Sequence, residues 1–447
     1  MKRAHNTRRL NIFSPEIFLP VFVAAFYLAG LVLVQFSLRA LVVVTIGIAV
    51  YLAVTMLTGR FVDGRGSGMP SEQGFLPEGY FERLLLALLV VFLVDLALKG
   101  ALPITIRVPL YLVFISGVFL LLGRVGSKLT GFHYLALGLV MILVYVVPAF
   151  ARYGLYGVYL NRTGGLMPAF LVGMGTITTI YGLLKIASGL TKNRLFAMIG
   201  FITLIAGPLM AAIIGYRAYA IIYIMPLIFQ YYLERKPAYG IKAGGKAAAV
   251  IIAIFLYTYF ATSVARGAIY AMVPLDPGKA PERVVASMNA GHYTDKDMVV
   301  TNKEARQKFI TRPLFTYRVF LDVLDRSFPW GTSHGKLILS LMPGITKGRA
   351  TTISILKKPL STSFFGLSFL EFGFAGVAFY AALLGFCLAV LSRLKDLKVY
   401  ALVLTIIMLW LDTGPSVWWH WLPFVSAVVI FVAALSVDLI KPKIAGP

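Results

Sequence analysis

Arginines standing alone beside apolar runs are the residues of this chain best suited to chemistry. Arg217 lies within Ile214-Gly215-Tyr216-Arg217-Ala218-Tyr219, and Arg266 closes an apolar stretch as Val264-Ala265-Arg266-Gly267. A guanidinium stays charged and offers a planar fork of donors, the best side-chain match to a diphosphate. Charges at such a boundary are expensive, so they are either functional or snorkelled to the polar interface. Arg162 and Arg318 are further candidates of the same kind.

A partner able to accept a proton is the second requirement. His334 sits in Gly331-Thr332-Ser333-His334-Gly335, where the glycines would let an imidazole approach a hydroxyl. Imidazole is the side chain whose charge changes closest to neutral pH. Its plainer reading is an exposed loop histidine. Glu371, eight residues into an apolar segment, is the second candidate, since partial burial at a helix boundary raises a carboxyl's proton affinity. Asp325 is the third, and Asp412 is a candidate partner for an arginine.

Other motifs carry less. Asp295 and Asp297 form a D-x-D pair that can hold a divalent cation, but two aspartates around a lysine in a polar loop are usually only solvated. Gly240 to Lys246 has the spacing of a phosphate-binding loop, yet Ala247 replaces the hydroxyl that would hold Mg²⁺ and no strand precedes it. His334 and His420 are too far apart in sequence for metal-ligand spacing. Cys387 is the only cysteine, which excludes a disulfide framework and reads as a small apolar packing residue.

The elements that must position these groups are membrane helices. At 59% hydrophobic and 13% charged over 447 residues, the chain cannot be a single soluble core. Windows of roughly 20 apolar residues, the length that crosses about 30 Å of hydrocarbon, recur about twelve times. They fall near 16–36, 39–58, 83–98, 107–123, 131–150, 165–188, 194–214, 216–233, 247–265, 365–391, 399–412 and 417–440. The first follows Lys2, Arg3, Arg8 and Arg9 like a signal peptide, but no small-residue cleavage site follows and it is expected to be retained.

The bias of Lys and Arg beside the short loops orients the chain. With an internal N-terminus the odd-numbered turns hold only Arg39, Lys99, Arg107, Arg152, Arg162 and Arg217. The opposite side, tails included, holds about twenty such cations, so both termini are expected to be cytoplasmic in a multi-pass plasma-membrane protein.

Three regions follow: helices one to nine over 1–265, an outer loop over 266–364, and helices ten to twelve over 365–447. The loop carries fifteen Lys or Arg against seven Asp or Glu and could draw an anionic ligand or lipid head group. Nucleic acid is a poor partner for an outward-facing loop. Within it Pro313 to Phe328 is the best helix, with Leu314, Tyr317, Leu321, Leu324 and Phe328 on one stripe and Arg318, Asp322 and Arg326 spaced four apart. That spacing predicts a surface ladder of ion pairs, or a helix on the membrane presenting Arg318 or Arg326 to a phosphate.

The tight Gly215-x-Arg217 hairpin, the long outer loop before the last helices, and the hydroxyl-rich approach into Phe365-Gly366-Leu367-Ser368-Phe369-Leu370-Glu371-Phe372-Gly373-Phe374-Ala375-Gly376 resemble the oligosaccharide repeat-unit polymerases, relatives of O-antigen polymerases and ligases. Arg162 followed by Gly173 fits an Arg-x10-Gly pattern of such polymerases, whereas Arg266 reaches Gly278 one position late.

The resemblance implies an all-α, GT-C-like fold and a glycosyltransferase. Such an enzyme would move a polyprenyl-diphosphate-linked glycan onto the nonreducing end of another lipid-linked repeat unit on the outer face. It implies Arg217, Arg266, Arg162 and Arg318 on diphosphate, and His334, Glu371 or Asp325 as base. Tyr153, Trp330, Trp419 and His420 would face the sugars, although the aromatics equally suit an interfacial belt. No cofactor is expected. The first outer turn, Ser37 to Arg39, holds no acid, which argues against metal-dependent relatives. Membrane lipids and, by the same resemblance, flippase and chain-length-regulator proteins are the expected partners. A ligase differing only in its acceptor and a lipid-glycan flippase are the alternatives, the latter expected to show paired halves and midplane polar residues.

Overall fold

In a bilayer core a backbone N–H or C=O has no water to pair with, so an apolar run must satisfy its own groups as a helix. The computed structural model obeys this rule. It describes chiefly residues 15–65, 81–87, 129–161, 166–188, 194–214, 218–234, 249–265, 316–334, 362–392, 396–413 and 422–428, and these are helical with no strand among them.

Eight helices have defined bounds: α1 Pro15–Leu33, α2 Leu38–Arg65, α3 Gly131–Asn161, α4 Leu166–Ala187, α5 Arg194–Ile214, α6 Ala218–Glu234, α7 Phe364–Leu391 and α8 Leu397–Thr413. Four stretches are long and apolar enough to cross a membrane: Leu38–Phe61, Gly131–Ala151, Arg194–Ala212 and Phe364–Leu391. Shorter apolar helices include Leu171–Ala187, Ala220–Glu234, Ala249–Thr262 and Leu397–Trp410. The chain is therefore a multi-pass helical membrane protein. The segment at 107–123 and most of those at 83–98 and 417–440 lie outside the described residues.

α4, α6, α7 and α8 form the centre. Trp410, Tyr181, Tyr380 and Phe229 are fully buried there, and Cys387 of α7 is buried among apolar neighbours, as a packing residue should be. α3 lies against α4 through small residues, because a Cβ at Gly138 would collide with Thr179 and the Gly175 carbonyl. Glycines permit this close backbone approach where lipid supplies no hydrophobic drive. Leu28 and Val32 of α1, Leu143 and Val147 of α3, and Phe201 and Ile205 of α5 are exposed, the faces that meet lipid chains.

α7 packs along α2, and α8 packs on α6. Where α7 ends and α8 begins, a polar cluster ties the helices together. Lys185 Nζ lies 3.0 Å from Glu82 Oε1 and 5.3 Å from the Tyr134 ring centroid. Gln230 Nε2 donates to Glu234 Oε1 at 2.7 Å and to the Leu184 carbonyl at 3.1 Å.

The opposite end carries residues of the large loop. A loop helix spans 316–326. Tyr317, Val319, Phe320, Leu321, Val323 and Leu324 are buried, whereas Arg318, Asp325 and Arg326 are exposed. Tyr27 of α1 holds it: its ring makes edge contacts with Tyr317, Phe320 and Phe365, and its hydroxyl donates to Ser363 Oγ at 2.7 Å. Tyr317 in turn donates to the Gln35 carbonyl at 3.2 Å. Burial pushes the Tyr317 phenol up from its ordinary value, which keeps it a neutral donor.

Two expectations need correction here. The expected apolar stripe is buried at Tyr317, Leu321 and Leu324 opposite exposed Arg318 and Arg326, but the buried face is wider than one stripe and packs on the bundle. Phe328 is past its end and 58% exposed. Nor does the ion-pair ladder form: among the described residues no carboxylate lies within 4 Å of Arg318 or Arg326. Leu314 lies outside the described residues.

Candidate active site at the interrupted helix

The first turn of α7 is capped by Ser363, whose Oγ accepts from the Gly366 N–H at 3.3 Å. Nine residues on, the helix breaks. Phe372 has φ −137° and ψ 25°, and Gly373 has φ 60° and ψ −137°, so the span expected as continuous over 365–391 consists of two helical pieces joined at a kink. A break among buried residues such as Leu370 and Glu371 orphans carbonyls, at a cost too large to leave unmet.

Residues 328–334 meet it. The Thr332 and Ser333 N–H groups donate to the Leu370 carbonyl at 2.8 and 3.0 Å, and the His334 N–H donates to the Glu371 carbonyl at 2.9 Å. The Phe374 N–H, which a continuous helix would direct to Leu370, donates instead to the Pro329 carbonyl at 3.2 Å. A turn closed by the Gly331 N–H on the Phe328 carbonyl at 2.9 Å shapes the segment. Two glycines make the docking possible. Gly331 has φ 88° and Gly373 φ 60°, and a Cβ at Gly373 would collide with the Pro329 carbonyl.

His334 ends this segment with φ 44°, the one non-glycine residue with positive φ among the described residues. Its ring is exposed, with its centroid 6.3 Å from that of Phe372. Histidine is among the few side chains enriched in the left-handed region, and a strained residue held by surrounding bonds is a common mark of a functional position. Trp330 is 63% exposed and stacks on Phe328 with centroids 5.3 Å apart and planes 4° apart. That flat aromatic pair faces outward beside His334.

The break brings His334, Glu371 and Trp330 into one locale. Glu371 differs from its expectation. It is not half-buried at a helix boundary but 1% exposed at the break, on the inward side. Its carboxyl lies within electrostatic reach of Tyr380. Asp325 and Arg318 sit on the exposed stripe of the loop helix. Among the described residues Arg318 makes no hydrogen bond, ion pair or ring contact with His334. Arg217, Arg266, Arg162, Trp419 and His420 lie outside the described residues, as do Asp295 and Asp297. Tyr153 lies on α3 without a described side chain. Among the described residues no group of three or more His, Cys, Asp or Glu has the arrangement to hold a metal.

One residue read only as a topology marker belongs to this locale. Arg39, second residue of α2, donates from Nη2 to the Ser327 carbonyl at 3.3 Å, and its guanidinium lies 5.2 Å from the Phe369 ring centroid. Its place in the first outer turn was the available signal. The hydroxyls of Ser327, Thr332 and Ser333 are shielded from solvent and have no hydrogen-bond partner among the described residues.

Neither curated proteins nor solved structures give a match to this chain. A family model described as "Putative O-antigen polymerase" matches residues 288–424, the stretch that holds the loop helix, the 328–334 segment, both pieces of α7 and α8. Across that stretch the chain is similar to that family.

Proposed function

We propose that this protein is a membrane glycosyltransferase that polymerises polyprenyl-diphosphate-linked oligosaccharide repeat units at the outer face of the membrane. The observation that carries the reading is the docking of His334 into the break of α7, inside the stretch matched by the family model. A rigid backbone there would hold an exposed imidazole at the membrane boundary, where a lipid-linked glycan presents its sugars.

In this reading an acceptor hydroxyl attacks the anomeric carbon of the donor glycan. The bond from that carbon to the diphosphate oxygen breaks, the hydroxyl proton passes to His334, and polyprenyl diphosphate leaves. Diphosphate is already a competent leaving group, so positioning, charge neutralisation and proton acceptance are the protein's tasks. Arg217, Arg266 and Arg162 are the cations assigned to the diphosphate, and the Phe328–Trp330 face is the platform assigned to a sugar ring. Glu371, sealed on the inner side of the break, is assigned to holding α7 there, with proton acceptance left to His334. No metal is assigned.

Purified protein reconstituted in liposomes with lipid-linked repeat units tests the reading. The expected product is a ladder of longer glycans, each step one repeat unit. A single larger product on a foreign acceptor would favour a ligase instead. Movement of the lipid-linked glycan across the bilayer with no new glycosidic bond would favour a flippase.

A further inference from the structure

Arg39 is a cation in an electrostatically awkward place. It occupies the first turn of α2, at the positive end of the helix dipole, and that turn contains no acidic residue. Among the described residues it has no carboxylate partner, and its contacts are one backbone carbonyl and one aromatic ring. A guanidinium has five N–H donors, so among the described residues most of its capacity is uncommitted. The Phe369 ring and the Ser327 carbonyl nevertheless fix its plane at the break of α7.

Hydroxyls of the segment whose Ser327 carbonyl Arg39 touches have the complementary problem. Ser327 is 6% exposed and Ser333 2% exposed, yet their oxygens have no partner among the described residues, and neither has Thr332 Oγ1. Shielded polar atoms in native proteins are nearly always satisfied. Ser327 carries the carbonyl that Arg39 touches, and Thr332 and Ser333 are bonded to Leu370, the residue after Phe369. A fixed cation at a positive helix end, touching a segment that carries such hydroxyls, suits an anion rich in acceptor oxygens.

We infer that Arg39, with the Ser327, Thr332 and Ser333 hydroxyls, forms a subsite for the phosphate of a membrane-anchored lipid at the mouth of the interrupted helix. Resting on the polymerase reading, this subsite would seat the phosphate of a lipid-linked partner of the reaction or a phospholipid head group.

A simpler role for Arg39 is to cap the last carbonyl of the loop helix, and the test separates the two. The full-length protein in phosphatidylcholine nanodiscs is titrated with a polyprenyl diphosphate and, separately, phosphatidylglycerol is added to the discs. Arg39→Gln keeps an N–H donor for the Ser327 carbonyl but loses the charge, while Arg39→Lys keeps the charge without the fork. The subsite predicts that Arg39→Gln weakens binding about tenfold or more with an unchanged melting temperature, and that Arg39→Lys restores part of it.

Thr332→Val and Ser333→Ala weaken the same binding by a smaller factor. Arg39-dependence for the diphosphate alone names the substrate as the source, and dependence for phosphatidylglycerol alone names the bulk lipid. Wild-type affinity of Arg39→Gln for both probes would overturn the subsite. Because binding is read without glycan transfer, a protein that binds in this way but never extends a chain would contradict the polymerase reading and leave the subsite standing.

Discussion

His334 holds a left-handed backbone that costs a residue other than glycine on the order of 1 to 3 kcal/mol, and the bond from its N–H to the Glu371 carbonyl keeps it there. Sequence analysis could name His334 because imidazole suits proton transfer near neutral pH and its flanking glycines leave room for a hydroxyl, whereas the positive φ of Gly331 and His334 was not foreseen. It could not find Arg39, whose role depends on partners almost 300 residues away. Nor could it foresee that Glu371 would be sealed, since burial at a break is set by what docks on it. Two predictions belong at this scale.

Arg217→Ala and Arg266→Ala should each lower the chain-extension rate about 30- to 1000-fold, the loss expected when a charge-assisted contact worth roughly 2 to 4 kcal/mol is removed. Lysine should rescue in part, and Arg152→Ala should do less harm. Near-normal extension by both alanine variants removes these residues from the site. Extension should also persist in excess chelator. Activity that needs added Mg²⁺ or Mn²⁺, and that Asp295→Ala and Asp297→Ala abolish, would make the enzyme metal-dependent.

The interrupted α7 and the segment docked on it are the elements on which the site depends. Hydropathy located the helix well, 365–391 against Phe364–Leu391, because average apolarity is all such a reading needs. The same average hides the break, since Gly373 looks like any of the glycines common in membrane helices. What fills the break is backbone hydrogen bonding from 332–334, which leaves no signature in side-chain pattern. The loop helix illustrates the same limit: its buried face includes Val319, Phe320 and Val323, which the one-stripe reading did not include. Gly373→Ala should force the docked segment away from α7 and cost about 2 to 4 kcal/mol. A lower melting temperature in detergent, together with loss of extension, checks it, and a variant with wild-type stability would mean the docking is dispensable.

At the scale of the whole molecule, span positions were the most legible property, as α5 at Arg194–Ile214 and α8 at Leu397–Thr413 against 399–412 illustrate. The composition of those runs leaves no other structure for them in lipid. Packing was less legible: nothing in periodicity says that α7 lies along α2 while α8 packs on α6.

The expected orientation, with both termini and the 59–82 loop cytoplasmic and 266–364 outside, is open to direct test. A single cysteine at position 296 in a Cys387→Ala background should react with an impermeant thiol reagent in intact cells. Labelling only after lysis would invert the topology and put His334 on the wrong side.

The most direct test of the central claim is the single-turnover rate of glycosidic bond formation by His334→Ala, measured in liposomes with saturating lipid-linked repeat units. If the exposed imidazole on the segment docked at the break of α7 accepts the proton, the variant should bind donor about as well as the wild type and form the bond about 10²- to 10⁴-fold more slowly. A bond-forming rate equal to that of the wild type would contradict the account.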